Sequence, residues 1–155
     1  MTPTVTTVTE EPWDSADGVR LRTAMEAELA ARYGMEDQEP EAPTAETIDV
    51  YVIARGAGGE ATGCGALRFL DDGTAELKRM YVVPESRGTG VATGILRALE
   101  DRARQRGIDA VVLATGTGQP DAIRFYEREG YQRTAGFGPF ADHPMARCFA
   151  RRLDD

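Results

Sequence analysis

The stretch from Tyr81 to Glu100, YVVPESRGTGVATGILRALE, constrains this chain more than any other. An apolar run stops at Pro84, which cannot donate to a sheet ladder and so ends a strand. Beyond it, Val91, Ile95, Leu99 and Ala103 recur at helical spacing, with Arg97, Glu100, Asp101 and Arg104 read as the face toward water. The spacing predicts a helix from about Thr89 to Arg106, closed by Gly107. Gly88, Gly90 and Gly94 crowd its start, where glycine weakens a helix. The first amides of a helix have no internal partner, and the macrodipole makes that end positive, so the site suits an anion such as phosphate. Gly88 and Gly90 carry no Cβ to hold a ligand away, and Arg87 adds a charged donor. Gly94, one turn further, reads as close packing of the helix against the sheet.

Two familiar phosphate loops do not fit. The P-loop ends in Lys-Ser/Thr, which is missing here. The dinucleotide fingerprint needs its third glycine at 93, where this chain has threonine. That fingerprint also opens a βαβ unit, whereas the strand before this loop closes a hairpin meander.

The meander is DVYVIAR (49–55), ATGCGALRFL (61–70) and TAELKRMYVV (74–83), joined by GAGGE and DDG turns. Before it, TVTTVTE (4–10) alternates as a strand. Leu21, Met25 and Leu29, with Ala24 beside them, mark an amphipathic helix within 14–34. The acidic, proline-bearing segment 35–46 reads as a loop. After the glycine-marked helix, AVVLATG (110–116) is continuously apolar, as for a strand buried on both faces. QPDAIRFYEREG (119–130) is a short helix, and YQRT with MARCFARRL (145–153) a closing hairpin. The order is β-α-βββ-α-β-α-ββ. The expected fold is a mixed α/β (α+β) domain, with a largely antiparallel sheet of six to seven strands flanked by helices.

Composition narrows the function. A chain of 155 residues, 41% hydrophobic, fits one domain spanning 1–155. A net charge of -8 argues against a nucleic-acid partner. No apolar run is long enough to span a membrane, and the N-terminus lacks a signal pattern, so a cytoplasmic location is expected. Cys64 and Cys148 read as buried thiols, and one histidine without paired Cys/His spacing gives no metal site.

RGTGVA (87–92) matches the R/Q-x-x-G-x-G/A signature, and the chain here resembles the GNAT superfamily of acyl-CoA-dependent N-acyltransferases. Residues 75–107 are similar to that family's fourth strand, pyrophosphate loop and third helix. Residues 111–133 resemble its fifth strand and fourth helix, ending in Y-x-x-x-G-[YF]. The likeness covers about 50–150. It implies acetyl-CoA or another acyl-CoA as co-substrate. It implies that Arg87, Gly88, Thr89, Gly90, Val91 and Ala92 hold the pyrophosphate. The fourth and fifth strands would splay, and the pantetheine arm would pair with backbone near Val82 and Val83. Gln119 stands where many members carry an asparagine that contacts the cofactor.

By the same resemblance, an acceptor amine attacks a thioester. An alkyl ammonium, with a pKa of about 10, must lose a proton first. The resemblance makes Glu76 the candidate base, although Glu76 and Lys78 share a strand face and can simply pair. It makes Tyr126 the candidate acid near the cofactor sulfur, against the alternative of a core aromatic beside Phe125. Glu26, Glu28, Tyr33 and Phe137 are candidates for the acceptor site, and His143 reads as an exposed loop residue. The resemblance implies an N-acetyltransferase acting on a small amine or amino acid derivative, as a monomer or homodimer. Protein acetylation and a non-catalytic acyl-CoA-binding regulator are the alternatives. Acidic net charge favours a cationic acceptor.

Overall fold

The structure, a computed structural model, describes residues 6–33, 43–116, 120–135 and 146–153. Its elements follow the expected order. They are β1 (Thr7–Glu10), α1 (Ala16–Tyr33), β2 (Val50–Arg55), β3 (Ala61–Phe69), β4 (Thr74–Val82), α2 (Val91–Gln105), β5 (Ala110–Gly116), α3 (Pro120–Arg128), β6 (Gln132–Thr134) and β7 (Ala146–Arg152), with a 3-10 turn at Pro84–Ser86. Among the described residues the strands form one seven-stranded sheet, in the order β1-β2-β3-β4-β5-β7-β6. Every pairing is antiparallel except β4 with β5. No described helix is long and apolar enough to cross a membrane.

Helices cover both faces. Val50, Val52 and Ala54 of β2 turn toward α2 and its buried residues Val91, Ile95, Leu96 and Leu99. Their neighbours Tyr51 and Ile53 join Leu21, Cys64, Ala66 and Tyr81 in a second cluster, with Met25 of α1 packed against it. Strand alternation therefore feeds two cores, and β2 is buried almost throughout. β5 departs from the expectation of burial on both faces. Val111 and Leu113 are buried, while Val112 and Ala114 on the opposite face are half-buried. Cys64 and Cys148 are free and buried.

α1 starts where the Ser15 hydroxyl accepts the Gly18 N–H at 3.1 Å. Its inward face keeps Leu21 and Met25 as expected but loses Ala24. Leu21 is buried, but Ala24 is exposed, and Arg22 turns inward instead. The Arg22 guanidinium stacks 3.5 Å from the Trp13 ring centroid, so an aromatic face replaces water around its charge.

Gly94 also corrects its expectation. A Cβ there would meet nothing within 4 Å, so it makes no close approach to the sheet. The close approach lies on β3. A Cβ on Gly65 would stand 2.9 Å from both Ile95 and Leu99, and one on Gly63 2.9 Å from Ile95. Bare backbone at these two positions lets α2 settle onto the sheet.

β4 carries the irregularity that shapes the site. Cys64 pairs with Tyr81 and Ala66 with Lys78, so Arg79 and Met80 stand opposite Gly65 alone. Arg79 has φ 55, and the Cys64 thiol donates to its carbonyl at 3.4 Å. This bulge bends the strand and resets which face later side chains meet. β4 and β5 then pair only from Thr74 to Glu76 with Ala110 to Val112. Past Glu76 the two strands part.

Glu100, read from helical spacing as facing water, is 0% exposed. Its carboxylate accepts from Tyr131 Oη at 2.8 Å, Arg97 Nη1 at 2.9 Å and Arg151 Nη1 at 2.7 Å. A buried carboxylate is tolerated when its oxygens are this fully occupied. The network ties α2 to β7 and to Tyr131, shortly beyond α3.

Candidate active site

The glycine loop begins where the sheet gives out. Val83 N–H donates to Thr62 O at 2.9 Å, and the 3-10 turn follows. Gly88 has φ 78 and Gly90 φ 89, left-handed values that cost glycine little. Two such residues delay the helix to Val91, past the expected Thr89. Gly90 is the N-cap and supplies no side-chain acceptor. The Thr89 hydroxyl turns back to Ser86 O. The first helical bond of α2 is Gly94 N–H to Gly90 O at 3.0 Å. The N–H groups of Val91, Ala92 and Thr93 therefore have no helical acceptor, the condition that makes a helix start an anion site.

A cavity of about 500 Å³ opens from this loop along β4. Its described lining comes from Met25, Glu28 and Leu29 of α1, Met80, Tyr81 and Val82 of β4, the loop at Ser86, Arg87, Gly88 and Gly90, the start of α2, and Phe125 and Tyr126 of α3. The parting of β4 from β5 lets these elements meet. Of the residues expected to hold the cofactor, Val82, Arg87, Gly88, Gly90, Ala92 and Tyr126 come together here. Thr89 is exposed, Val91 is buried in the α2 core, and Val83 packs in the cluster beneath α1. Their backbones belong to the same turn, but their side chains do not line the cavity. Gln119, Phe137 and His143 lie outside the described residues, as does the side chain of Tyr33. Glu26 is exposed and does not line the cavity.

The two candidate acid–base residues part company. Tyr126 lines the cavity, 7% exposed, with its ring edge-on to Phe125 at 5.1 Å and to Tyr131 at 5.8 Å. Burial pushes its hydroxyl well above the usual phenol range, so it carries its proton at any working pH. Glu76 is 3% exposed and is not among the described lining residues. One of its oxygens lies 3.2 Å from Lys78 Nζ, the other 3.5 Å from Arg68 Nε. The pairing open to it by strand spacing is made, with a cross-strand arginine added.

Arg87 is engaged on both sides. Its Nη2 lies 2.7 and 3.0 Å from the two Glu28 oxygens. Its Nε donates to Val82 O at 2.9 Å. The Val82 carbonyl thus takes a side chain where β5 is missing. Burial, with the Glu28 carboxylate adding to it, also raises the Tyr81 hydroxyl above its ordinary range. Nothing local in the sequence joins Glu28 to Arg87.

The site fits a long ligand with an anionic middle. Uncapped amides and bare glycines lie at one end, an unpaired strand edge runs alongside, and a protonated phenol stands over the cavity. A CoA thioester has that shape, and no described residue fills the amide cradle.

The sequence profile of the Acetyltransferase (GNAT) family matches residues 10–131. An IAA acetyltransferase of Azospirillum brasilense is 31% identical over 153 residues, covering 97% of this chain and 99% of that one. A structure from Klebsiella pneumoniae, solved under the name acyl-CoA N-acyltransferase, has a TM-score of 0.84 at 31% identity, covering 96% and 98% of the two chains. A GNAT acetyltransferase of Elizabethkingia anophelis, solved with acetyl-CoA bound, has a TM-score of 0.69 at 15% identity, covering 95% and 97%. That last likeness is one of fold.

Proposed function

The chain belongs to the acetyltransferase (GNAT) family, and on that footing we propose that it transfers an acetyl group from acetyl-CoA to the primary amine of a small molecule or amino acid derivative. The amine attacks the thioester directly while both substrates are bound. One observation carries this reading: a single cavity joins the uncapped start of α2, the open edge of β4 and Tyr126. Its volume of about 500 Å³ suits small molecules.

The amides from Gly88 to Thr93 hold the pyrophosphate, with the Arg87 charge beside them. The Val82 backbone faces the open edge and holds the pantetheine arm, whereas Val83 N–H is already committed to Thr62. Bound there, acetyl-CoA supplies an activated acyl thioester. Tyr126 donates a hydrogen bond to the sulfur as charge develops on it. Full proton transfer is not its task, because an alkyl thiol is a stronger acid than a buried phenol. Glu76 serves structure by pairing Lys78 and Arg68. The amine then reacts from its own unprotonated fraction, roughly one part in a hundred at pH 8 for a pKa of about 10, and the proton it sheds as its C–N bond replaces the C–S bond passes to the departing CoA thiolate.

An assay of CoA thiol release over a panel of primary amines, amino acid derivatives and lysine peptides tests this. The expected result is turnover with small amines, at a rate that rises with pH toward the pKa of the amine itself. Turnover confined to peptides would contradict the acceptor class. Acetyl-CoA binding without turnover on any amine would make the protein a non-catalytic acyl-CoA-binding regulator.

A further inference from the structure

Among the described residues the Tyr126 hydroxyl has no hydrogen-bond partner, so its place is set by the ring and the backbone beneath it. The ring is edge-on to Phe125 and Tyr131. The backbone leaves α3 through Gly130, with Gly130 N–H on Glu127 O at 3.2 Å and Tyr131 N–H on Tyr126 O at 2.9 Å. Tyr131 thus meets Tyr126 twice, through backbone and through ring. It is 2% exposed, and its hydroxyl donates to the Glu100 carboxylate of α2 at 2.8 Å. Arg97, also of α2, reaches the same turn, at 2.9 Å from Glu129 Oε1 and 3.3 Å from Glu129 O. A helix end of this kind closes on its own backbone bonds, so neither tie is needed to end α3. Both join the turn behind Tyr126 to the helix that opens on the glycine loop.

We propose that Tyr131, held through its hydroxyl by Glu100, is the positioning residue for Tyr126, so that α2 fixes both the cradle for the pyrophosphate and the place of the phenol. The inference rests on the role given to Tyr126 under the acetyl-CoA reading above. Tyr131 is not among the described cavity residues, so it acts through Tyr126. A hydrogen bond to the sulfur depends steeply on placement, and about 1 Å of misplacement can cost on the order of a hundredfold in rate. Without the Tyr131 hydroxyl, Glu100 keeps Arg97 and Arg151, so the buried charge stays paired and the fold survives. The Tyr131 ring is then free to slide, and the Tyr126 ring moves with it.

NMR and kinetics on Tyr131→Phe, in the full chain, test this. The chain holds five tyrosines, so isotope-labelled tyrosine gives few signals, and Tyr126 is assigned by what Tyr126→Phe removes. Relaxation dispersion is expected to be flat for the Tyr126 ring in wild type and to show microsecond-to-millisecond exchange in Tyr131→Phe. In turnover of acetyl-CoA with the fastest amine of the panel above, Tyr131→Phe is expected to lower kcat about tenfold and to leave CoA affinity within about twofold. In the Tyr126→Phe background it is expected to cost less than about twofold more, because the group it positions is gone. A purely structural role costs the same in both backgrounds. Arg97→Gln, a change at a half-exposed side chain, is the milder second variant should Tyr131→Phe not fold. It is expected to cost about three- to fivefold in kcat, with the same dependence on Tyr126. Identical dispersion in wild type and variant overturns the inference, and so do equal kcat losses in the two backgrounds. Turnover on no amine overturns the proposed function and leaves dispersion to decide whether Tyr131 holds Tyr126.

Discussion

Tyr126→Phe should lower kcat about a hundredfold while leaving CoA affinity within about twofold, the pattern of a donor that acts only as charge develops. The phenyl ring keeps the edge contacts with Phe125 and Tyr131, so packing and stability stay near wild type. What disappears is one O–H, on a residue that lines the cavity and is almost fully buried. A donor in a water-poor site is worth more than one in water, since no solvent competes for the developing charge. The pH profile gives a second check. The phenol is held above its ordinary range by burial, so no Tyr126-dependent limb should appear below about pH 10. Steady-state rates with acetyl-CoA and calorimetry with CoA settle both points. An unchanged kcat contradicts the role, and equal losses in kcat and CoA affinity make Tyr126 a binding residue.

Glu100→Ala should be the most destabilising exchange in the sheet-and-helix body, at about 3 kcal/mol, the usual scale for removing one partner of a buried charged network. The cost lies in what is left behind. Tyr131 Oη loses its 2.8 Å acceptor inside the core, and Arg151 Nη1 loses its 2.7 Å carboxylate. Arg97 loses less, because it is half exposed and keeps Glu129 at 2.9 Å. For a chain of this length the melting temperature should fall by roughly 6–12 °C. Differential scanning calorimetry reads it, and a fall under about 2 °C would show the network to be unimportant. A functional trace is expected too. Tyr131 N–H bonds Tyr126 O at 2.9 Å, so a loosened Tyr131 lets the Tyr126 ring wander.

These two residues show where sequence reasoning stops. The strand end, the loop and the α2 core face were legible because their signals are local: Pro84, the glycines, and Val91, Ile95, Leu99 and Ala103 at helical spacing. Element order and sheet composition followed from turn residues and periodicity. The polar partners did not. Glu100 looks like any charged residue on a helix until β7 and Tyr131 fold over it. Ala24 suited the inner face of α1 by spacing, but Trp13 offered Arg22 an aromatic surface that no periodicity records. Gly94 showed the reverse error, a local glycine credited with packing that Gly63 and Gly65 perform from another strand. Glu76 was open to two readings, and the cross-strand neighbour Arg68 adds weight to one of them. In each case the deciding contact spans distant sequence, where charge and size alone do not choose a partner.

On the proposed function, the bare start of α2 recognises the pyrophosphate of an acyl-CoA. Calorimetric titration with acetyl-CoA and with acetyl-pantetheine, which keeps the thioester and lacks the pyrophosphate, tests it most directly. Two charge-assisted hydrogen bonds at about 1.5 kcal/mol each correspond to roughly a hundredfold in affinity. Acetyl-CoA is expected to bind at a single site, and acetyl-pantetheine at least about a hundredfold more weakly. Equal affinity for the two, or no binding of acetyl-CoA, would contradict it.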